Sequence, residues 1–321
     1  MRSIRVLLAA TALLSLAWLP AHAQQYPSRP ISMIVAYPPG GATDIAARIY
    51  AARLAEQLGR PVVVENKAGA GGAIGTDYAA RATPDGHTLI FMVDANTIMP
   101  ALSTKLTWDP IRDFAPISMT AVGAHAFLAH PSFGPNNVKE LIEHAKRTPE
   151  SYASPGNGSA QHLGMELFKA RAGIDLQHIP YQGGAPTLTG LAGGHVKVGI
   201  VALASALPFI RSGKLKALAV TGDQRSPSLP SVPTVAESGL PGFATLQWFA
   251  VLAPAGTPTP IISRLHGEII KASKDPGVVE KLAAVALEVR TSPAPEDLAR
   301  FMKEDMAKWP PIVKAAGVKV D

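Results

Sequence analysis

Tyr37-Pro38-Pro39-Gly40-Gly41-Ala42-Thr43-Asp44 breaks the chain directly after the apolar run Ile31-Ser32-Met33-Ile34-Val35-Ala36. The run reads as a strand, and the two prolines and two glycines stop it. A helix is expected from about Thr43, with Thr43 or Asp44 as its N-cap. Within it Ala47, Ala51, Leu54 and Leu58 form one apolar stripe, while Ile45 and Ile49 point elsewhere, which predicts burial on two sides. Gly59 ends the helix, and Pro61 to Glu65 forms the next strand. Strand, glycine-rich loop and helix make one unit of an α/β fold. The loop has two readings at this point: a plain turn, or a cradle of unpaired backbone N–H groups at a helix start that holds an anion.

Outward from there the unit recurs. Asn66-Lys67-Ala68-Gly69-Ala70-Gly71-Gly72 is a second glycine-rich loop, leading to a helix around Ile74 to Arg81. Pro84-Asp85-Gly86 turns into strand Thr88 to Val93. A second alternating region follows: helix Val138 to Arg147, the turn-rich Ser154-Pro155-Gly156-Asn157-Gly158-Ser159, helix Gln161 to Ala172, strand Gln177 to Pro180, helix Ala185 to Leu191, and strands Val196 to Val201 and Leu215 to Thr221. After a Pro, Ser and Gly-rich stretch at 226–242, Gln247 to Ala253 reads as a strand. Two helices close the chain, with stripes Ile262, Leu265, Ile269 and Leu298, Met302, Trp309.

The N-terminus reads as an export signal. Arg2 and Arg5 precede an apolar stretch from Val6 to Leu19, and Pro20-Ala21-His22-Ala23 offers a small-x-small cleavage site, so residues 1–23 form a signal peptide and the mature chain starts at Gln24. The apolar stretch is short for a span of ~20 residues. The 321-residue chain contains no cysteine, which excludes disulfides, thiolate catalysis and cysteine metal sites. Its net charge of +6, lowered by two when Arg2 and Arg5 leave, favours anionic ligands mildly and is too dispersed for nucleic acid.

Catalytic patterns fail on inspection. Gly69, Gly71 and Gly75 miss the G-x-G-x-x-G spacing because position 74 is Ile. Gly158-Ser159-Ala160 is no nucleophile elbow, with Asn at 157 and Gln at 161. The nine histidines include no H-E-x-x-H, and no metal cluster is expected. The chain is therefore read as a non-enzyme without cofactor or metal. A hydrolase built on the same scaffold would differ by showing turnover.

These stretches resemble the Bug, or TctC-type, family of periplasmic receptors, the binding components of tripartite tricarboxylate transporters. The resemblance rests on Tyr26-Pro27-Ser28-Arg29-Pro30, the 37–44 segment, Pro61-Val62-Val63-Val64-Glu65-Asn66 with Gly69-Ala70-Gly71-Gly72, Gly156-Asn157-Gly158-Ser159, Pro180-Tyr181-Gln182-Gly183-Gly184-Ala185-Pro186, Pro230-Ser231-Val232-Pro233-Thr234-Val235 and Leu252-Ala253-Pro254-Ala255-Gly256-Thr257-Pro258. They run in order along nearly the whole mature chain.

The resemblance implies a two-lobed, type II-like periplasmic-binding-protein fold with the ligand cleft between lobes. Residues 24–122 and 250–321 would form a discontinuous first lobe and 123–249 the second. It implies that backbone groups of Tyr37, Pro39, Gly40, Gly41, Ala42, Thr43 and Asp44, and of Gly69, Ala70, Gly71 and Gly72, hold a carboxylate, partly through waters. Asn96, Ser154, Asn157, Ser159, Tyr181 and Ala185 complete the expected site. The implied function is capture in the periplasm of a small organic carboxylate, by a monomer, for membrane permease subunits. The alternative is a sensory receptor read by a sensor kinase. Two departures bear on the ligand: Asp94 stands where small residues are common, and Ala202-Leu203-Ala204-Ser205 replaces an expected Asp or Asn with only Ser205. With Gly199 to Ala204 apolar and Lys67 the one cation near the motifs, a monocarboxylate with an aromatic or aliphatic tail, stacked on Tyr181 or Trp248, is expected over a polycarboxylate. The rival is a second carboxylate held by waters and the hydroxyls of Thr97, Ser154 and Ser159.

Overall fold

The structure, a computed structural model, describes residues 26–318, so the signal peptide read at 1–23 lies outside the described residues. Strands β1 (Ile31–Val35), β2 (Val62–Asn66) and β3 (Thr88–Val93) pair in parallel, with β1 in the middle. Helices α1 (Ala42–Leu58) and α2 (Ala73–Ala80) connect them. Alternation along the strands sorts side chains onto two faces. Ile31, Met33, Val35, Phe91 and Val93 pack with Ala46, Ala47, Tyr50 and Leu54 of α1, whereas Ile34, Ile90 and Met92 face Ala79 of α2. The α1 helix thus buries one broad face, and Ile45 and Ile49 sit only part-buried at its margin, unlike the two-sided burial expected.

Two elements of the next stretch were not foreseen: helix α3 (Ala95–Leu102), which contains Pro100, and the 16-residue strand β4 (Phe114–Ala129), which contains Pro116 and Gly123. Later in the chain the helices at 203–211 and 276–284 and the short strands at 151–154 and 288–289 were not foreseen either. The first part of β4 pairs antiparallel with β9 (Leu246–Pro254), which also pairs with β3. From His125 onward β4 changes partners, to β7 (Val198–Ala202) and β8 (Lys216–Val220). Strand β7 continues the sheet in parallel through β5 (Ser151–Ser154) to β6 (Gln177–Pro180). One curled sheet therefore has two halves, joined along β4 at Ala124 and His125 and by the return at Thr245 and Leu246.

Each half has its own core. In the first, α8 (Thr259–Ser273) and α9 (Pro276–Ala284) join α1 on one face, and α10 (Pro295–Ala316) covers the other beside β10 (Glu288–Val289). In the second, Phe127, Tyr152 and Ile200 pack with α4 (Val138–Ala145) and α5 (Ala160–Ala172). The opposite face is covered by α6 (Gly184–Ala192) and α7 (Leu203–Arg211). A small apolar seam bridges the halves: Ile98 of α3 and Trp309 and Val313 of α10 meet Ala160 and Leu163 of α5. Among the described residues no helix is long and apolar enough to cross a membrane.

Candidate functional site

Both glycine-rich loops sit at the C-terminal ends of parallel strands, where α/β sheets present helix starts to ligands. The N-cap of α1 is Gly41, not Thr43 or Asp44, and no side chain caps the first turn. Asp44 lies inside that turn and is occupied elsewhere. Its carboxylate accepts from the Gly40 N–H (2.9 Å), Arg48 Nε (3.0 Å) and Asn66 Nδ2 (2.9 Å). Burial raises its pKa, but those hydrogen bonds and the Arg48 charge outweigh it and hold the group below the usual carboxylate range. Asn66 also donates to the Tyr37 carbonyl (3.0 Å), so Asp44 and Asn66 brace the 37–41 loop and leave the N–H groups of the helix start to a ligand.

The second loop is more unusual. Gly69, Ala70, Gly71 and Gly72 all have positive φ, of 139°, 47°, 66° and 106°, and Gly72 caps α2 without a side chain. Successive residues of this kind turn backbone N–H groups into one concavity. A relay holds it in place: Thr76 Oγ1 donates to the Gly72 carbonyl (2.8 Å), Asn96 Nδ2 donates to Thr76 Oγ1 (2.8 Å), and Asn96 Oδ1 accepts from Val93 N–H (3.0 Å).

A cavity of about 490 Å³ lies between the sheet halves, within the usual range for small-molecule sites. Of the expected residues, Tyr37, Thr43, Ala70, Gly71, Asn157 and Ser159 line it. Pro39, Gly40, Gly41, Ala42, Asp44, Gly69 and Gly72 belong to the flanking loops without lining it, and Asn96 stands behind it in the relay. Ser154 is also behind the wall, its Oγ 2.7 Å from His178 Nε2 and accepting from Gly156 N–H (3.2 Å). Tyr181 turns its hydroxyl against Gly190, where a Cβ would meet it at 2.3 Å, and Ala185 is exposed outside the cavity. Trp248 is fully buried, its Nε1 donating to Asp305 (3.1 Å), so it is no stacking platform. Gly199 to Ala204 does not line the cavity either. Lys67 pairs with Glu65 (3.5 Å) and lies over the Tyr78 ring, outside the wall.

The wall also holds residues that the sequence did not single out. Met99 and Leu102 come from α3 and Ser103 from its C-cap, Gln161 from α5 in the second half, and Gln247 from the start of β9. Their signal was weak because none lies in a glycine-rich motif, whereas Gly183, also in the wall, belongs to the 180–186 motif. Gln161 reaches His125 Nδ1 (3.3 Å) on β4, at the place where that strand changes partners. Ser159 caps α5 by accepting from His162 N–H (3.2 Å) and donates to the Gly156 carbonyl (2.8 Å), which shapes the 155–159 loop.

Tyr37 and Asp94 are the titratable residues of the lining. Each has a buried oxygen without a partner, Tyr37 Oη and Asp94 Oδ2. Burial, then the nearby Asp305 charge, pushes the Asp94 carboxyl up to about 8, so it is largely uncharged at neutral pH. Burial also raises the Tyr37 hydroxyl. The cavity offers backbone and neutral donors, an apolar side from α3, and no lysine, arginine or histidine. Among the described residues no group of three or more His, Cys, Asp or Glu is placed to hold a metal.

The chain is similar to known proteins over nearly all its length. BugT of Bordetella pertussis is 38% identical over 305 residues, covering 94% of this chain and 93% of that protein. An R. palustris protein solved with adipate superimposes with a TM-score of 0.83 at 33% identity, covering 92% of this chain and 99% of its own. MatC from Rhodopseudomonas palustris with bound malate gives 0.78 at 33% identity, covering 90% and 100%. The sequence model described as "Tripartite tricarboxylate transporter family receptor" matches residues 46–318, and the chain belongs to that family, TctC.

Proposed function

We propose that this chain is an exported receptor that captures a small organic carboxylate between two closing lobes and delivers it to the permease of a tripartite tricarboxylate-type transporter. The observation that carries the reading is the cavity between the sheet halves, where two uncapped helix starts face a wall without cationic side chains. Backbone N–H groups then do the anchoring. Hydrogen bonds to a charged group contribute ~1.5–3 kcal/mol each, so three or four account for most of the ~8 kcal/mol of a micromolar complex. Adipate and malate in two structural neighbours support the ligand class.

In this reading the lobes follow the two sheet halves; the division expected from the sequence, 24–122 and 250–321 against 123–249, lies within a few residues of the crossings at Ala124–His125 and Thr245–Leu246, with 246–249 paired in the first half. The protein works in the periplasm as a monomer after losing residues 1–23. The same reading has the chain bind its ligand without turnover, as its membership of a receptor family supports. The site residues are those of the two first-half loops together with Asn157 and Ser159. The test is a thermal-shift and titration-calorimetry screen of residues 24–321 against adipate, malate, benzoate and hexanoate. At least one acid should raise the melting temperature and be recovered unchanged. Failure of every acid, or appearance of a product, would sink the proposal.

A further inference from the structure

The Asp94 carboxyl is an oddity in a cavity meant for an anion. It is 3% exposed, it lines the wall, and only one of its oxygens is used: Oδ1 accepts from Ala95 N–H (3.0 Å) as the N-cap of α3. Oδ2 has no partner, and the unpaired Tyr37 hydroxyl belongs to the same wall. A buried polar atom left alone costs ~1–3 kcal/mol, so two of them on residues that line one cavity point to a group that arrives with the ligand.

The surroundings decide what Asp94 offers. Nearby donors are committed to Asp305 of α10. Its Oδ2 accepts from Thr97 Oγ1 (2.6 Å), Trp248 Nε1 (3.1 Å) and Trp309 Nε1 (3.3 Å), and Lys308 pairs with its Oδ1. Among the described residues no hydrogen-bond donor reaches Asp94 Oδ2, and the Lys308 charge favours its ionised form less than burial and the Asp305 charge oppose it. The charged or titratable groups that act on Asp94 are Asp305 and Lys308 from α10 and Tyr37 from the end of β1. Two carboxyls in one neighbourhood, one supplied with donors and the other bare, divide into an ionised and a protonated member.

We infer that the Asp94 carboxyl, with the Tyr37 hydroxyl beside it, is a hydrogen-bond donor to the ligand's anionic head, and that above the titration of Asp94 each ligand enters together with one proton. This rests on the carboxylate reading above and deepens it. The balance is simple: ionised Asp94, a proton from solvent and the ligand carboxylate give a neutral acid whose O–H points at the bound anion. A ligand carboxylate keeps Asp94 neutral more strongly than the empty cavity does, because two negative charges would otherwise share a site without a cation.

The test uses the mature protein and the tightest binder among adipate, malate, benzoate and hexanoate. Affinity is expected to be flat from pH 6 to 7 and to fall about tenfold per pH unit beyond about 8, where Asp94 ionises. Calorimetry at pH 8.5 in two buffers of different ionisation enthalpy should show uptake of about three-quarters of a proton per ligand, rising toward one at higher pH. Asp94→Ala should abolish both the pH slope and the proton uptake and weaken binding at pH 7 by about tenfold to a hundredfold, one hydrogen bond to a charged group. Asp94→Asn, which keeps an N–H donor, should recover part of that loss without recovering the slope. In the ligand-free protein, carbon-13 NMR of labelled aspartate should find one carboxyl titrating near 8 that Asp94→Asn removes.

A pH-independent affinity, or proton release on binding, overturns the inference while leaving the carboxylate reading intact. An affinity that rises with pH for a ligand bearing an ammonium group makes Asp94 a counter-ion and overturns it too. If no acid binds at pH 7, the carboxylate reading fails. The NMR titration then judges Asp94 by itself, and titration below 5 overturns its role as a proton donor.

Discussion

Gly72 shows how little freedom the second glycine-rich loop has. Its φ of 106° suits no L side chain, and a Cβ there would stand 3.0 Å from the Tyr37 hydroxyl and 3.1 Å from its ring. Substitution therefore strains the backbone and pushes a cavity residue together. Gly72→Val is expected to lower the unfolding free energy by about 1–3 kcal/mol and to cost at least tenfold in affinity for the best-binding acid. Urea denaturation and calorimetry on the same preparation read both. Gly59→Ala is the control: it has φ of 64° at the end of α1, open space around it and no place in the cavity, so it should lose about 1 kcal/mol of stability and keep its affinity. Unchanged affinity in Gly72→Val would mean that the second loop does not approach the ligand.

The loop 155–159 depends on imidazoles that must stay neutral. His162 and His178 stack at 3.8 Å, His162 Nδ1 accepts the Gly158 N–H (3.0 Å), and His178 holds Ser154. Burial, the largest cause, lowers both to about 4, and burial does the same to His125. The unfolded chain titrates near ~6.5, so below that pH it binds protons that the folded chain refuses. Stability is complete above about 6.5 and declines as pH falls toward 4. The calorimetric melting temperature should drop across that window, with a shallower slope in His178→Gln; equal slopes would remove the pair as a cause. Most helices and parallel strands around these loops were legible in the sequence, because prolines and glycines punctuate them within a residue or two of where they end. Helix α3 was not, since Pro100 sits inside it, and β4 was not, because burial on both faces removes the alternation and Pro116 and Gly123 interrupt its run. Tyr37, Thr43, Ala70, Gly71, Asn157 and Ser159 could be read off the sequence as cleft candidates, and they line the cavity. Tyr181 and Trp248 could not be separated from cleft residues, because their orientation depends on Gly190 and Asp305, which no local motif reveals.

At the scale of the molecule, β4 belongs to both halves, and so does the seam of Ile98, Ala160, Leu163, Trp309 and Val313. Neither half completes its sheet alone, so thermal unfolding should be one transition whose calorimetric and van't Hoff enthalpies agree. Two resolved peaks would show that the halves melt separately. The seam also lies beside the ligand cavity and not in its wall, apart from Ala160. Val313→Ala should then weaken binding severalfold without touching the ligand, by reducing the population of the closed form; a titration showing wild-type affinity would place the seam outside the closing motion. If the halves close on a ligand as proposed, a single strand running through both gives that motion the mechanics of a torsion bar. Rotation of one half against the other is then shared among many peptide units, and the cross-strand bonds survive. A loop hinge would fold at one point and carry no restoring force. A twisted strand would store the deformation elastically, so the empty receptor would spring back to one rest angle.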